Sequence, residues 1–329
     1  MKFTIGFEKE DTTKLHNYWQ EIIDSQQWSE GRFTRLFEEK WSKYNQQQSV
    51  AFSSWGGAAL AALEFFNVSG RTVLCPSNTF MATPLSAIKA GANVEFVDCN
   101  REDLCISLED LRRKIDLFEP IAVWVVHIGG HIAFHINEVA SLCRQKGVVL
   151  LEDCAHAHGA SWNGKKAGTW GDAGIYSFYA TKTISTGEGG MLVTSNADLV
   201  EFAKEYRNYG KFAYKVRGLN YRISEFAAAI GCVEVDRLDE IVAWKNEHAQ
   251  KNLDSEFPNR IKFPNGMVSG YYKYIVFDPI QNSTGKVYDS PCHRIMNKDY
   301  QLANTDWIAK NHWCVPLYYK GEAVAENKT

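Results

Sequence analysis

From about residue 50 onward, apolar stretches of strand length alternate with stretches of helical period, and this alternation constrains the fold more than any other feature of the chain. The strand candidates are Thr72 to Cys75, Val94 to Asp98, Ile121 to His127, Val148 to Glu152, Ala173 to Phe178 and Met191 to Thr194. Between them, Gly57 to Phe66 is rich in Ala and Leu, and Ile136 to Gln145 carries Val139, Leu142 and Cys143 on one side, as crossover helices do. The pattern predicts an α/β protein with a mostly parallel central sheet flanked by helices. Ahead of it, Thr12 to Ile23 and Arg32 to Tyr44 read as aromatic, charged helices joined through the turn Ser29-Glu30-Gly31 and packed outside the sheet.

Past Gly210 the alternation stops. A long helical pattern from Ser224 to His248 leads into a region with a strand at Tyr271 to Phe277 and a breaker-rich loop at Asp278 to Gly285. We therefore expect a large domain over 1–240, N-terminal helices included, and a small C-terminal α/β domain over 241–329. The tail from Gly321 is polar and expected to fray.

With 45% hydrophobic residues the chain can bury a full core, and 36 basic against 39 acidic side chains leave a formal charge of −3 without long basic runs. That balance gives no electrostatic footprint for nucleic acid or an anionic membrane. No segment approaches the roughly 18–20 continuous apolar residues that span a bilayer, and Met1 to Glu10 lacks a signal-peptide pattern, so the cytoplasm is the expected location. The eight cysteines show no C-x-x-C spacing, which argues for buried thiols and against a zinc or iron–sulfur site. His127, His131 and His135 straddle a strand end and a Gly-Gly turn instead of sharing one helix face, and we assign no metal to them.

In a doubly wound sheet the carboxyl ends of the strands face the ligand crevice, and several predicted strands here end in polar residues, Asp153 among them. Downstream lies Lys182, within Ser177-Phe178-Tyr179-Ala180-Thr181-Lys182-Thr183-Ile184-Ser185-Thr186-Gly187-Glu188-Gly189-Gly190. A lysine flanked by small polar residues, with a carboxylate on the preceding strand, is what a pyridoxal 5'-phosphate Schiff-base site requires. An unpaired carboxylate on a buried strand is costly, so a pyridinium N–H is a natural partner for Asp153. Ser53-Ser54-Trp55-Gly56-Gly57-Ala58 opens a helix with small residues, where backbone N–H groups and the helix dipole bind phosphate. Ser177 could add a hydroxyl. A return through Gly187-Glu188-Gly189-Gly190 into Met191-Leu192-Val193-Thr194 would bury the lysine stem and lower its pKa. Alone, each has a plainer role: a helix-capping Asp, a solvated Lys, an ordinary turn. Together they favour the cofactor site.

The ordered segments Glu152-Asp153-Cys154-Ala155-His156-Ala157-His158-Gly159, Ser177 through Lys182 and Gly187-Glu188-Gly189-Gly190 resemble those of the DegT/StrS-type sugar aminotransferases. So do Pro76-Ser77-Asn78-Thr79-Phe80, Gly218-Leu219-Asn220-Tyr221-Arg222, and Trp28 with Gly31 ahead of Phe37-Glu38-Glu39; the resemblance runs from about residue 25 to 245. It implies a fold-type I (aspartate aminotransferase-like) enzyme working as a homodimer with shared active sites. It further implies that Lys182 carries the aldimine, Asp153 holds the pyridine nitrogen, Phe80 stacks on the ring and His156 stands near the ring hydroxyl. Ser177 and the Gly56-Gly57 turn would hold the phosphate, with Asn220 reaching in from the other subunit. The family's turn usually reads Gly-Thr, so Gly57 leaves one hydroxyl missing, and the region beyond residue 245 is shorter than usual.

The expected reaction moves an amino group from an amino acid, with glutamate as the expected donor, to a keto sugar, expected to be nucleotide-linked, in amino-sugar, surface-polysaccharide or glycoside biosynthesis. Two rivals stand beside it. The dehydratase branch of the same fold has histidine where Lys182 stands, so Lys182 argues against it. A cofactor-binding sensor without efficient turnover is kept open by the short C-terminal region, and a half-reaction with glutamate separates it from an enzyme.

Overall fold

The computed structural model describes residues 6–320, so the expectation for the tail from Gly321 lies outside the described residues. Two helices, α1 (Lys9–Ser25) and α2 (Arg32–Asn45), precede strand β1 (Gln48–Phe52) and helix α3 (Trp55–Phe65). The units β2 (Thr72–Pro76) with α4 (Ala82–Lys89), β3 (Asn93–Val97) with α5 (Leu108–Phe118), and β4 (Ala122–Val126) with α6 (Ile136–Lys146) lead to β5 (Val149–Asp153). A two-strand excursion, β6 (Ser161–Trp162) and β7 (Lys165–Lys166), separates β5 from β8 (Ala173–Ser177) and β9 (Gly190–Thr194). Helices α7 (Ala197–Tyr206) and α8 (Glu225–His248) follow. The remainder comprises β10 (Met267–Val268), β11 (Tyr274–Val276), α9 (Cys292–Ile295), α10 (Ala303–Lys310) and β12 (Trp313–Val315).

The main sheet has seven strands in the order β1-β9-β8-β5-β4-β2-β3. Its β8-β5-β4-β2-β3 part is parallel, and β9 and β1 extend it antiparallel at one edge. Strands covered on both faces can be apolar at every position, which is why β4 reads Ala-Val-Trp-Val-Val without alternation. Successive side chains still divide between the two faces. Val123 and Val125 pack with Phe37 and Trp41 of α2 and Val233 of α8, whereas Trp124 packs with Ala58 and Ala62 of α3.

Helix α2 begins at Gly31, which has no side chain to cap the first turn. Glu225, at the start of α8, supplies the cap instead: its carboxylate accepts from the Gly31, Phe33 and Thr34 amides at 2.9, 2.6 and 2.9 Å. A Cβ on Gly31 would sit 2.6 Å from the Glu225 carboxylate, so the glycine is required for the approach.

The six strands expected in the main sheet and both crossover helices are present within a residue or two at their ends, whereas the strand expected over Tyr271 to Phe277 is confined to Tyr274–Val276. Strand β1 and helices α4, α5 and α7 are further elements. Helix α8 passes residue 240 unbroken, and beyond it Ala249, Tyr271, Tyr274, Val276, Val315 and Leu317 form a small core of their own. No helix among the described residues is long and apolar enough to cross a membrane.

Candidate active site

The carboxyl end of β5 opens into a cavity of about 560 Å³ lined by the start of α3, the β8–β9 connection and the C-terminal region. Among its lining residues are Ser54, Gly56, Asp153, Ser177 and Lys182. With Phe80 and His156, which line it too, seven of the sequence-predicted positions, from four separate stretches of chain, meet in one space.

Asp153 is the last residue of β5 and is buried. Its carboxylate accepts from the Ala155 amide at 3.0 Å and the Thr83 hydroxyl at 2.8 Å. Burial pushes its carboxyl above the ordinary carboxylate range, with those two donors and the Lys182 charge opposing the shift. Its neighbour Glu152 is saturated: Gly168, Trp170 and Gly171 donate their amides at 2.8, 2.6 and 2.7 Å. The fourth contact is His127 Nε2, at 2.9 Å. Because the Ala133 amide donates to His127 Nδ1 at 3.1 Å, the imidazole proton sits on Nε2 and is donated to Glu152. Glu152 thereby fixes the end of the strand that presents Asp153.

Lys182 lies in the connection between antiparallel β8 and β9, so the return expected from Gly187 to Gly190 is a hairpin. The loop is pinned on itself by Lys182 N–H to Tyr179 O at 2.9 Å and Ser185 Oγ to Phe178 O at 3.1 Å. Gly187 turns it back with φ +80°, in the left-handed region open to glycine. The amine stands 4.7 Å from the centre of the Tyr272 ring. Burial lowers its pKa, helped by Lys273 and opposed by Tyr272 and Asp153, which enlarges the neutral, nucleophilic fraction.

At the far end of the cavity, Ser54 caps α3 and its hydroxyl accepts from the Gly57 amide at 3.2 Å. Gly57 is thereby occupied and lies off the cavity wall, while the Trp55 and Gly56 amides have no intrahelical acceptor and line it. A Cβ on Gly57 would meet the Tyr221 side chain at 2.9 Å, which accounts for the bare residue where the family usually carries Thr. Ser177 lines the same end.

Phe80 projects at the mouth, 63% exposed. His156 is buried with its ring 4.1 Å from that of Tyr272 and nearly parallel to it, at 22°. Its Nδ1 accepts from the Gly129 amide at 3.4 Å, and its Nε2 lies 3.3 Å from the Tyr288 hydroxyl. Asn220 is exposed and lies outside this cavity, on the segment bridged to Asn208. The sequence reading missed Tyr272, Lys273, Lys286 and Tyr288, which close the cavity from the C-terminal region. Lysine inside the aromatic run Tyr271-Tyr272-Lys273-Tyr274 was the available signal, since an apolar strand has no internal use for it.

The cavity offers what pyridoxal phosphate needs: an amine with a lowered pKa, a buried carboxylate with only two neutral donors, and open helix-start amides beside a serine hydroxyl. The residues fit the group. Curated relatives and a solved structure show what the chain is similar to. The chain is 34% identical over 268 residues to a GDP-perosamine synthase of Escherichia coli O157:H7, covering 78% of this chain and 72% of that one. It is 34% identical over 242 residues to a GDP-perosamine synthase of Vibrio cholerae, covering 71% of this chain and 65% of that enzyme's length. In fold it resembles a DegT DnrJ EryC1 StrS aminotransferase from Brucella abortus, with a TM-score of 0.91 at 21% identity over 98% of this chain and 96% of that one. The DegT/DnrJ/EryC1/StrS aminotransferase family model matches residues 9–264, so the chain whose Lys182 and Asp153 face one cavity belongs to this pyridoxal-phosphate-dependent family.

Proposed function

We propose that the protein transfers an amino group from L-glutamate to the keto carbon of a nucleotide-linked sugar, as the sugar-nucleotide names of its relatives suggest. The observation that carries this reading is the pairing of a half-buried amine, Lys182, with a buried carboxylate, Asp153, in a cavity of about 560 Å³. Pyridoxal phosphate, when bound, supplies an electron sink at the carbon that loses its proton.

The chain's own residues do the rest. Asp153, held by Thr83 and Ala155, would keep a proton on the ring nitrogen. The Trp55 and Gly56 amides, with Ser177, hold the phosphate at the positive end of α3. Phe80 would cover one face of the ring, and His156 would stand near the ring hydroxyl; both line the cavity. Lys182 would hold the cofactor in the resting enzyme and, with its amine free, would serve as the base for the donor's α-proton. Its lowered pKa leaves it neutral often enough to act as that base. Tyr272 and Tyr288 exclude water from the reacting atoms. Asn220 acts in the site of the partner subunit of a homodimer, which accounts for its position outside its own cavity.

Lys182→Ala is expected to abolish turnover and the visible absorption of the lysine-bound cofactor together. Retained amino transfer by that variant would overturn the assignment. Mixing the holoenzyme with L-glutamate alone should convert the cofactor to its amine form; no conversion would favour the sensor.

A further inference from the structure

Three lysines, Lys182, Lys273 and Lys286, and two carboxylates, those of Asp153 and Glu188, line the cavity. Two of the three lysines are committed. Lys182 is the cofactor lysine of the reading above, and Lys286 donates to the carbonyls of Lys310 and His312 at 2.9 and 2.7 Å while lying over the Trp313 ring. Lys245, nearby, is buried and donates to Tyr271 O at 3.0 Å. Lys273 differs: among the described residues its amine has no ion-pair partner and no hydrogen-bond acceptor, and it stands 5.3 Å from the centre of the Tyr272 ring. The Lys182 amine stands 4.7 Å from the centre of the same ring. Both amines therefore border the same ring in the same cavity. The charge of Lys273 is felt throughout the site, lowering the pKa of Lys182, His156 and Lys245.

Its position is built in. The Lys273 amide donates to Gly129 O at 2.9 Å, and the Gly270 amide to Gly130 O at 2.7 Å, so the segment is tied to the turn after β4. Gly130 has φ +107°, and a Cβ there would meet the Tyr272 and Tyr271 amides at 2.7 and 2.8 Å. A cation held by its backbone, lacking a counter-ion and adjacent to the reacting amine, is preorganised for an anion carried next to the reacting carbon. In an amino acid that anion is the α-carboxylate.

We propose that Lys273 is the counter-ion of the amino donor's α-carboxylate and thereby selects α-amino acids as donors. The proposal rests on the aminotransferase reading. Its test is calorimetric titration of the holoenzyme with α-methyl-L-glutamate, which has no α-proton to lose, and with the 1-amide of the same compound. The wild type should bind the acid about ten- to a hundredfold more tightly than the amide, the range expected for a hydrogen bond to a charged group. Lys273→Gln should lose that preference by weakening the acid alone, and Lys273→Arg should retain most of it. Equal binding of acid and amide by the wild type, which needs no variant, overturns the proposal. So does a Lys273→Gln enzyme that holds the acid within about twofold of wild type. Failure of the aminotransferase reading shows separately, as a wild-type holoenzyme whose cofactor absorption does not respond to L-glutamate.

Discussion

Glu152 and Asp153 are adjacent carboxylates on one strand, and their surroundings assign them opposite work. Glu152 accepts three backbone amides and the His127 N–H, so nothing of it remains for a ligand. Asp153 is buried too, yet accepts from two groups. A buried carboxylate so sparsely paired is costly to the empty protein. Its carboxyl is raised by burial. A carboxyl raised on folding favours the folded state below its unfolded pKa, and that contribution is lost as pH rises through the folded value. The cofactor-free protein should therefore lose stability through this residue as pH climbs out of the ordinary carboxylate range. Asp153→Asn is expected to flatten that dependence and raise the cofactor-free Tm at neutral pH by a few degrees, while weakening cofactor binding about ten- to a hundredfold. Thermal scans from acid to neutral pH and an absorbance titration with pyridoxal phosphate check the two halves. Of these two residues, the strand-end Asp was legible as a candidate because of its sequence position. The saturation of Glu152 was not, because its donors come from residues 127 and 168–171, which only the fold brings to it.

At the scale of elements, the site is assembled by loops that rigid neighbours hold in place. The β8–β9 hairpin presents Lys182, the start of α3 presents open amides, and the turn after β4 receives the Gly270–Lys273 segment. That last junction depends on Gly130, whose positive φ and missing side chain let the Tyr271 and Tyr272 amides approach. Gly130→Ala is expected to cost about 2–4 kcal/mol through strain and displaced packing. It should also weaken donor binding, because Tyr272 and Lys273 move with the segment. The change in Tm together with the saturation curve of the glutamate half-reaction measures it; unchanged donor saturation would mean that the segment docks without this turn. The Gly-Gly pair after β4 was visible in the sequence beside three histidines, but its partner segment lies about 140 residues downstream. Local pattern carries no record of such a pairing.

For the whole molecule, the exposed apolar side chains point to association. Phe212, Tyr214 and Leu219 are all exposed on the stretch that carries Asn220, and Phe212 is 87% so. A cluster of large apolar groups left in water marks an interface. The homodimer proposed above should appear by light scattering, and Phe212→Ser combined with Leu219→Ser should yield a folded monomer with most of its turnover lost. A stable, fully active monomer would refute shared active sites. The α/β class, the order of strands and crossover helices, and the ordered motifs around Asp153 and Lys182 were determined by the sequence alone. The class and the elements rest on periodicity within a few neighbouring residues, where backbone geometry dictates the pattern, and the motifs rest on short ordered segments that resemble those of a known family. Tertiary structure decided which of those residues share a cavity: Gly57 is turned away behind Tyr221, Asn220 stands outside, and Tyr272, Lys273 and Tyr288 enter from the C-terminal region. Contacts between residues more than a hundred positions apart depend on packing of the completed sheet and its outer layers, which no local stretch encodes.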